Sequence, residues 1–214
     1  MSDIFREIEE DLQRDRLQKL WKKYGVVVIA AAVVLVIGTG GWEAWSAYRR
    51  HENEAMGARY ADALRLASDG KTAAAEASFA KIAADASSGY GVLARLQQAA
   101  LLIKEGKTAD AIALYDKLAA DGDADRPYRD LAILLSVYND MATGNPKTLS
   151  DRLAPLTEAG NPWRNSALEL QALLAQRTGD TARAEQLLAQ ISDDGTAPPD
   201  IRARAAELLA ALKK

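Results

Sequence analysis

The chain has 214 residues and a formal net charge of −3, with no cysteine and one histidine. This composition excludes disulfides and thiolate metal sites, and it rules out most catalytic schemes that depend on histidine. From Glu52 onward, nineteen basic and twenty-three acidic residues leave a net charge of −4. That balance argues against a nucleic-acid-binding platform, which normally needs a basic face.

Residues 1–23 form a short, charged N-terminal segment. Apolar residues recur there at helical spacing, first as Phe5, Ile8 and Leu12 and then as Leu17, Leu20, Trp21 and Tyr24. We predict a cytoplasmic helix. It either docks at an interface or serves only as the solvated tail that sets the topology of the next segment.

The stretch Tyr24–Trp42 contains nineteen residues without a charge. As a helix it would be about 28 Å long, close to the ~30 Å hydrocarbon core of a bilayer. A buried core helix or strand is the alternative, but a core helix would carry a polar face and a strand of this length would be unusually long. We therefore predict a transmembrane signal anchor over residues 24–45. Aromatic residues expected at its two membrane interfaces are Trp21, Tyr24, Trp42 and Trp45.

The orientation follows from the basic residues that flank the apolar run. Five precede it, Arg14, Arg16, Lys19, Lys22 and Lys23, and three follow it, Arg49, Arg50 and Arg59. This bias places the N-terminus in the cytoplasm and the C-terminal domain across the membrane. A cleaved signal peptide is the alternative, because Gly38–Gly41 offers small residues after the run. The long acidic leader and the aromatic residues beyond the run favour an uncleaved anchor.

Residues 46–55 are predicted to continue the helix as a linker. His51 lies in this linker beside Arg49 and Arg50. There is one imidazole and no pair of carboxylates at a suitable spacing from it, so we interpret His51 as a surface residue.

From Met56 the chain repeats itself. Similar segments begin at Gly70, Gly106, Gly144 and Gly179, with the third segment the most divergent. Four positions counted from each glycine hold small or apolar residues. The seventh residue before the glycine is Ala63, Ala99, Val137 or Ala172. The fifth residue after it is Ala75, Ala111, Leu149 or Ala184. The ninth is Phe79, Tyr115, Leu153 or Leu188, and the twelfth is Ile82, Leu118, Leu156 or Ile191.

Each position in this pattern has a physical role. The glycine is expected to end one helix in a left-handed conformation. Thr72, Thr108 and Thr181 are expected to cap the next helix. The small positions let paired helices approach closely, and the ninth and twelfth positions form an apolar seam.

A period near 36 residues, glycine at the turn and small residues on both helices resemble the tetratricopeptide repeat. The resemblance implies an all-α fold, in which the anchor is followed by a right-handed helical solenoid over residues 56–214, with about four repeats. Asp200–Leu212 is predicted to be a capping helix. Its apolar face comprises Ile201, Ala205, Leu208, Leu209 and Leu212.

The sequence contains no recognised catalytic motif, cofactor-binding motif or metal-binding motif. Asp121, Asp123 and Asp125 alternate like part of a calcium loop, but the glycine and the distal glutamate of an EF-hand are missing. We interpret them as a solvated acidic turn. The expectation is a protein that is not an enzyme and needs no cofactor; an enzyme is the remaining alternative, which a turnover abolished by a point mutation would establish.

Three further segments resemble the YfgM-like family, an ancillary subunit of the bacterial SecYEG translocon. They are G-W-x-x-W at Gly41–Trp45, the opening M-S-D-I-F-R-E-I-E-E-D-L, and N-P-W-R-N-S-A-L-E-L at Asn161–Leu170. The resemblance implies a single-pass bacterial inner-membrane protein with a periplasmic repeat domain. Its expected partners are the translocon, a periplasmic chaperone and nascent secreted chains.

The expected function is that of a non-enzymatic scaffold that binds proteins and assists chaperones and secreted proteins at the translocon exit. The alternative is a membrane-tethered adaptor in envelope assembly or cell division. A binding groove is expected on the first helix of each repeat, although its residues could instead fill the core of the superhelix. The groove residues, ten and six positions before each glycine, are Tyr60, Leu64, Leu96, Ala100, Leu134, Tyr138, Glu169 and Leu173.

Overall fold

The structure is a computed structural model. Its backbone is described for residues 2–85 and 89–213, and its side chains for residues 21–24, 29, 34–84 and 89–213. Within these ranges all regular secondary structure is helical, so the all-α prediction is confirmed. The chain divides into two compact units, Met1–Ala55 and Met56–Lys214.

Nine α-helices lie in the described part of the chain. They are α1 (Ser2–Ser68), α2 (Thr72–Asp85), α3 (Gly89–Lys104), α4 (Thr108–Ala119), α5 (Arg126–Asp140), α6 (Pro146–Leu153), α7 (Arg164–Arg177), α8 (Thr181–Ser192) and α9 (Pro199–Leu212). A 3₁₀ turn, Ala154–Thr157, follows α6. Pro155 has no N–H to donate, which explains why regular helix ends there. The turn still places Leu156 in the core, at 1% exposed.

The first unit contains much of α1. Five apolar side chains of its predicted anchor, Ile29, Val34, Leu35, Val36 and Ile37, are between 55% and 71% exposed. Among the residues that were described, no helix has an apolar stretch long enough to cross a membrane. Residues 25–28 and 30–33 of the predicted anchor lie outside the described side chains, as do the apolar face predicted for residues 1–20 and its basic residues.

Three of the four repeat glycines adopt the predicted left-handed conformation. Gly70, Gly106 and Gly179 have φ values of 75°, 76° and 80°. After α3, the Lys107 N–H donates to the Leu102 carbonyl at 2.9 Å and the Gly106 N–H donates to the Ile103 carbonyl at 3.0 Å. This pair of bonds is a Schellman motif, which satisfies the carbonyls at a helix end. The same pattern closes the helices before Gly70 and Gly179.

Gly144 differs, and here the left-handed prediction is wrong. Its φ is not positive. A Cβ at this position would overlap the Asp140 carboxylate and would lie 3.0 Å from the Asp140 carbonyl oxygen. Glycine is therefore needed for close approach rather than for backbone conformation, because α5 ends in a tighter turn that brings Asp140 against it.

The predicted threonine caps are also wrong. Thr72, Thr108 and Thr181 are the first residues of their helices, one position too late to cap them. The cap of α8 is Asp180, whose carboxylate accepts the Arg183 N–H at 3.0 Å. The cap of α4 is Lys107, which makes no side-chain capping bond. The glycine turn is therefore two residues long, which leaves the threonine inside the helix.

The four small or apolar repeat positions form the core. All sixteen residues at these positions are at most 3% exposed. All of them except Ala184 fall into four clusters, and each cluster joins a helix pair to the helix that follows it. Burying one large apolar side chain stabilises the folded state by roughly 1.5–3 kcal/mol. Each contact between successive repeats is therefore stabilised by its own local core.

Candidate functional site

The first helices of the repeats carry the predicted groove residues. Leu64 and Tyr138 are exposed, at 40% and 62%. One residue, Glu169, is buried, at 8% exposed. The other five are half-buried, namely Tyr60, Leu96, Ala100, Leu134 and Leu173. The eight residues thus differ in their access to a partner.

Tyr60 belongs to an aromatic cluster that joins the first two repeats. Its ring centroid lies 5.6 Å from that of Phe79 and 5.8 Å from that of Tyr90. Gly57 allows this approach, because a Cβ there would lie 2.9 Å from the Tyr90 Oη. Burial raises the pKa of Tyr60, and its hydrogen bond with Gln97 partly offsets that rise. Tyr60 therefore has a structural role as well as a partly exposed surface.

Leu96 and Leu134 lie at the same repeat position on α3 and α5. Each packs on a core cluster with part of its side chain still accessible. The residues at helical spacing from them extend two apolar stripes, which we call the α3 stripe (Leu93, Leu96, Ala100, Ile103) and the α5 stripe (Leu131, Leu134, Tyr138, Met141). Neither stripe contains a charged residue, and apart from the exposed Tyr138 all members are half-buried.

The predicted groove residues do not include four members of these stripes, Leu93, Ile103, Leu131 and Met141. Three-residue steps from the predicted positions would have found them. The surface is therefore broader than predicted on repeats two and three. The apolar surface is narrower on repeat four, where the position equivalent to Leu96 and Leu134 holds Glu169.

Glu169 is bound by the last helix. The Arg204 Nε donates to its Oε1 at 2.5 Å, and the Arg204 Nη2 donates to its Oε2 at 2.6 Å. This bidentate bond raises the pKa of Arg204 and leaves no carboxylate oxygen of Glu169 without a partner. Glu169 thus joins α7 to α9, and the structure gives it a structural role instead of placing it in an open groove.

In the second and fourth repeats, an equivalent ion pair joins the first helix to the residues that follow the second helix. Arg95 of α3 donates to Asp121, and Arg164 of α7 donates to Asp194 at 2.9 Å. Each aspartate also accepts the N–H two residues further on, from Asp123 and Thr196.

These bonds hold the pKa of both aspartates below the ordinary value. For Asp121 the main cause is the hydrogen bond from Arg95. For Asp194 it is the hydrogen bond from the Thr196 side chain, with the charge of Arg164 contributing less. Asp121 therefore has a structural role in the acidic turn, because its carboxylate is bonded to Arg95 and to the Asp123 N–H.

Polar contacts also join successive repeats. Asp116 of α4 accepts from the buried Ser136 of α5 at 2.6 Å and from Arg152 of α6 at 2.5 Å. Trp163, directly before α7, donates from its indole N–H to the Pro127 carbonyl at 2.8 Å and packs on the core of the third repeat. These bonds fix one repeat against the next, and with it the positions of the α3 and α5 stripes.

The four predicted interface aromatics are all exposed. Trp21 and Tyr24 are 62% and 48% exposed, and Trp42 and Trp45 are 67% and 51% exposed. Each pair has a nearby cation, because the Lys23 Nζ lies 5.2 Å from the Tyr24 ring centroid and the Arg49 guanidinium lies 4.9 Å from the Trp45 ring centroid. No group of acidic or histidine side chains suited to a metal ion occurs in the part of the chain that the structure describes.

Comparison with known proteins agrees with this architecture. Two crystal structures of nearly identical TPR-like repeats from Podospora anserina, one of them carrying a single substitution, are similar in fold; the protein is described as a kinesin light chain. Their TM-scores are 0.56 for the substituted protein and 0.54 for the other, each at 16% identity over 72% of this chain and 83% of theirs. No curated protein shows significant sequence similarity. The profile of the tetratricopeptide repeat-like domain matches residues 18–136, more than half of the sequence, and the chain belongs to that family.

Proposed function

We propose that this protein is a membrane-anchored, non-enzymatic scaffold that holds partner proteins on the α3 and α5 stripes. The observation that carries this proposal is the pair of uncharged, partly exposed stripes in a repeat domain with nineteen basic and twenty-one acidic residues over 56–214. Apolar surface of this kind favours burial against an apolar segment of another chain. Repeats of this family generally mediate protein–protein interactions.

Two observations support the membrane anchor. The stretch Tyr24–Trp42 has no charge, and the described apolar side chains within it are exposed to solvent. A bilayer would remove that surface from water. The flanking basic residues favour a cytoplasmic N-terminus and a periplasmic repeat domain.

The resemblance to the YfgM-like family supports a more specific location. We propose that the repeat domain works at the periplasmic exit of the translocon, with a periplasmic chaperone and nascent secreted chains as its partners. The alternative, an adaptor in envelope assembly or cell division, uses the same repeats with different partners. Affinity purification of the full chain from detergent, with the anchor intact, distinguishes them. Recovery of division or envelope-assembly proteins without translocon subunits would favour the alternative.

The binding surface is tested by site-specific photocrosslinking. A photoreactive residue at Leu96 of the α3 stripe or at Tyr138 of the α5 stripe is expected to crosslink to partner proteins. Lys117, exposed on the second helix of repeat two, is the matched control and is expected to give no such product. Equal labelling at all three positions, or none at Leu96 and Tyr138, would contradict the proposed surface.

Topology is tested separately with a reporter fused after Lys214. A reporter that is active only in the periplasm is expected to be active, and its cytoplasmic counterpart is expected to be silent. The reverse result would remove the translocon-exit proposal while leaving the protein-binding surface intact.

A further inference from the structure

Three side chains at the C-terminal end of the predicted anchor form one stripe on α1. Trp42, Trp45 and Arg49 are three and four residues apart, so they share a helix face. The ring centroids of Trp42 and Trp45 lie 5.5 Å apart, and the Arg49 guanidinium lies 4.9 Å from the Trp45 centroid. Both indoles are more than half exposed. The result is a cation held over an exposed aromatic surface.

On the neighbouring face of α1, the charge of Arg50 is neutralised by Glu43. The Arg50 Nη2 donates to the Glu43 Oε1 at 3.2 Å and to the Ser46 Oγ at 3.3 Å. Within the described residues Arg49 forms no ion pair, although Glu52 is only three residues away. Of the two adjacent arginines, Arg49 therefore carries the charge that the helix leaves uncompensated.

The chemistry of this stripe matches a lipid headgroup. A guanidinium presents its N–H donors in a planar fork that fits the oxygens of a phosphate, and stacking on an indole leaves those donors available. Exposed tryptophans favour the boundary between hydrocarbon and headgroups. We propose that Arg49, held by Trp45, binds the phosphate of anionic phospholipids. This inference rests on the proposed membrane anchor, because it requires Trp42 and Trp45 to lie at headgroup level.

The test uses the full chain in phosphatidylcholine vesicles that contain either brominated phosphatidylcholine or brominated phosphatidylglycerol. Bromine quenches nearby tryptophan fluorescence, so the ratio of quenching by the two lipids measures selectivity for the anionic headgroup. A Trp21→Phe background restricts the response near lipid to Trp42 and Trp45. Trp163, which packs on the core of the third repeat, is present in every sample.

The phosphatidylglycerol selectivity is expected to fall by about fivefold in Arg49→Gln, which corresponds to about 1 kcal/mol for one basic residue near an anionic surface. Arg50→Gln is the matched control. It is expected to keep the selectivity, because the Arg50 guanidinium already donates hydrogen bonds to Glu43 and Ser46. Equal quenching by both lipids, or equal losses in the two variants, would overturn the assignment to Arg49. Absence of quenching by either lipid would overturn the anchor itself.

Discussion

At the scale of single residues, the repeat glycines perform two different tasks. Gly106 has a φ of 76°, which a residue with a side chain rarely adopts. Gly144 has an ordinary φ, but Asp140 occupies the space that a Cβ would need. The same residue type at the same repeat position is therefore required once by backbone conformation and once by packing.

Gly144→Ala is expected to destabilise the repeat domain by roughly 1–3 kcal/mol, because the added methyl group overpacks against a backbone carbonyl that cannot move freely. Gly122→Ala is the control, since a Cβ there meets no atom within 4 Å and the φ is not positive. That change is expected to be neutral or stabilising by up to about 1 kcal/mol. Denaturant unfolding measures both, and equal effects would refute the packing role of Gly144.

The two aspartates with lowered pKa predict an acid dependence of stability. The folded pKa of Asp121 and Asp194 lies below the ordinary value of 3.8, so the folded state binds fewer protons than the unfolded state in this range. Their contribution to the free energy of unfolding is complete above about pH 4 and is lost as the pH falls through the folded pKa. The double substitution Asp121→Asn with Asp194→Asn is expected to flatten this dependence.

The measurement is the thermal midpoint between pH 2 and pH 6. Asp123→Asn serves as the control, because this substitution keeps the backbone N–H that bonds Asp121. An unchanged acid slope in the double variant, or an equally flattened slope in the control, would show that other carboxylates set the acid dependence.

At the scale of elements, α9 is held in two ways. Its apolar face, with Ala205 fully buried, covers the core of the fourth repeat, as the spacing of Ile201, Leu208 and Leu212 predicts. Its Arg204 forms the bidentate bond to Glu169 of α7. The apolar face gives α9 its affinity for the repeat, whereas the ion pair fixes its position along α7.

Arg204→Met is expected to lower the free energy of unfolding by roughly 1–2 kcal/mol. This is less than the 3–5 kcal/mol of a fully buried pair, because the Arg204 side chain is 52% exposed. Glu169→Gln is expected to cost less, since it leaves no unpaired charge in a buried position. Unfolding of both variants and of the combination forms a double-mutant cycle, and strictly additive costs would mean that the pair contributes no coupling.

At the scale of the whole molecule, the chain consists of two compact units with different surfaces. The unit Met1–Ala55 exposes large apolar side chains, whereas Met56–Lys214 buries its apolar repeat positions in four clusters. Because each cluster is local to neighbouring helices, the second unit contains all the contacts that its core needs.

A fragment spanning residues 56–214 is therefore expected to fold alone. Circular dichroism is expected to show helix content per residue and an unfolding midpoint close to those of the repeat domain in the full chain. The matched comparison is a fragment of residues 56–194, which lacks α9 and leaves the fourth core uncovered; its midpoint is expected to be lower. An unfolded 56–214 fragment would show that the first unit is needed for folding.

Much of this architecture could be predicted because its determinants are short-range. The spacing of Ala63, Ala75, Phe79 and Ile82 around Gly70 repeats along the chain, and helix geometry alone places such residues on the facing sides of a hairpin. The candidate site was less predictable. The same spacing located Leu96 and Leu134, but it could not separate the exposed Tyr138 from the buried Glu169, because accessibility depends on what packs alongside.

The sequence by itself determined the helical repeats, their turn glycines and the residues of the core, since helical periodicity and hydrophobicity act within a few turns of chain. Only the tertiary structure decided which polar groups meet. Arg204 reaches Glu169 across 35 residues and Arg152 reaches Asp116 across 36. Such pairs depend on how one repeat is rotated against the next. That rotation follows from the packing of many side chains at once, so no local pattern encodes it.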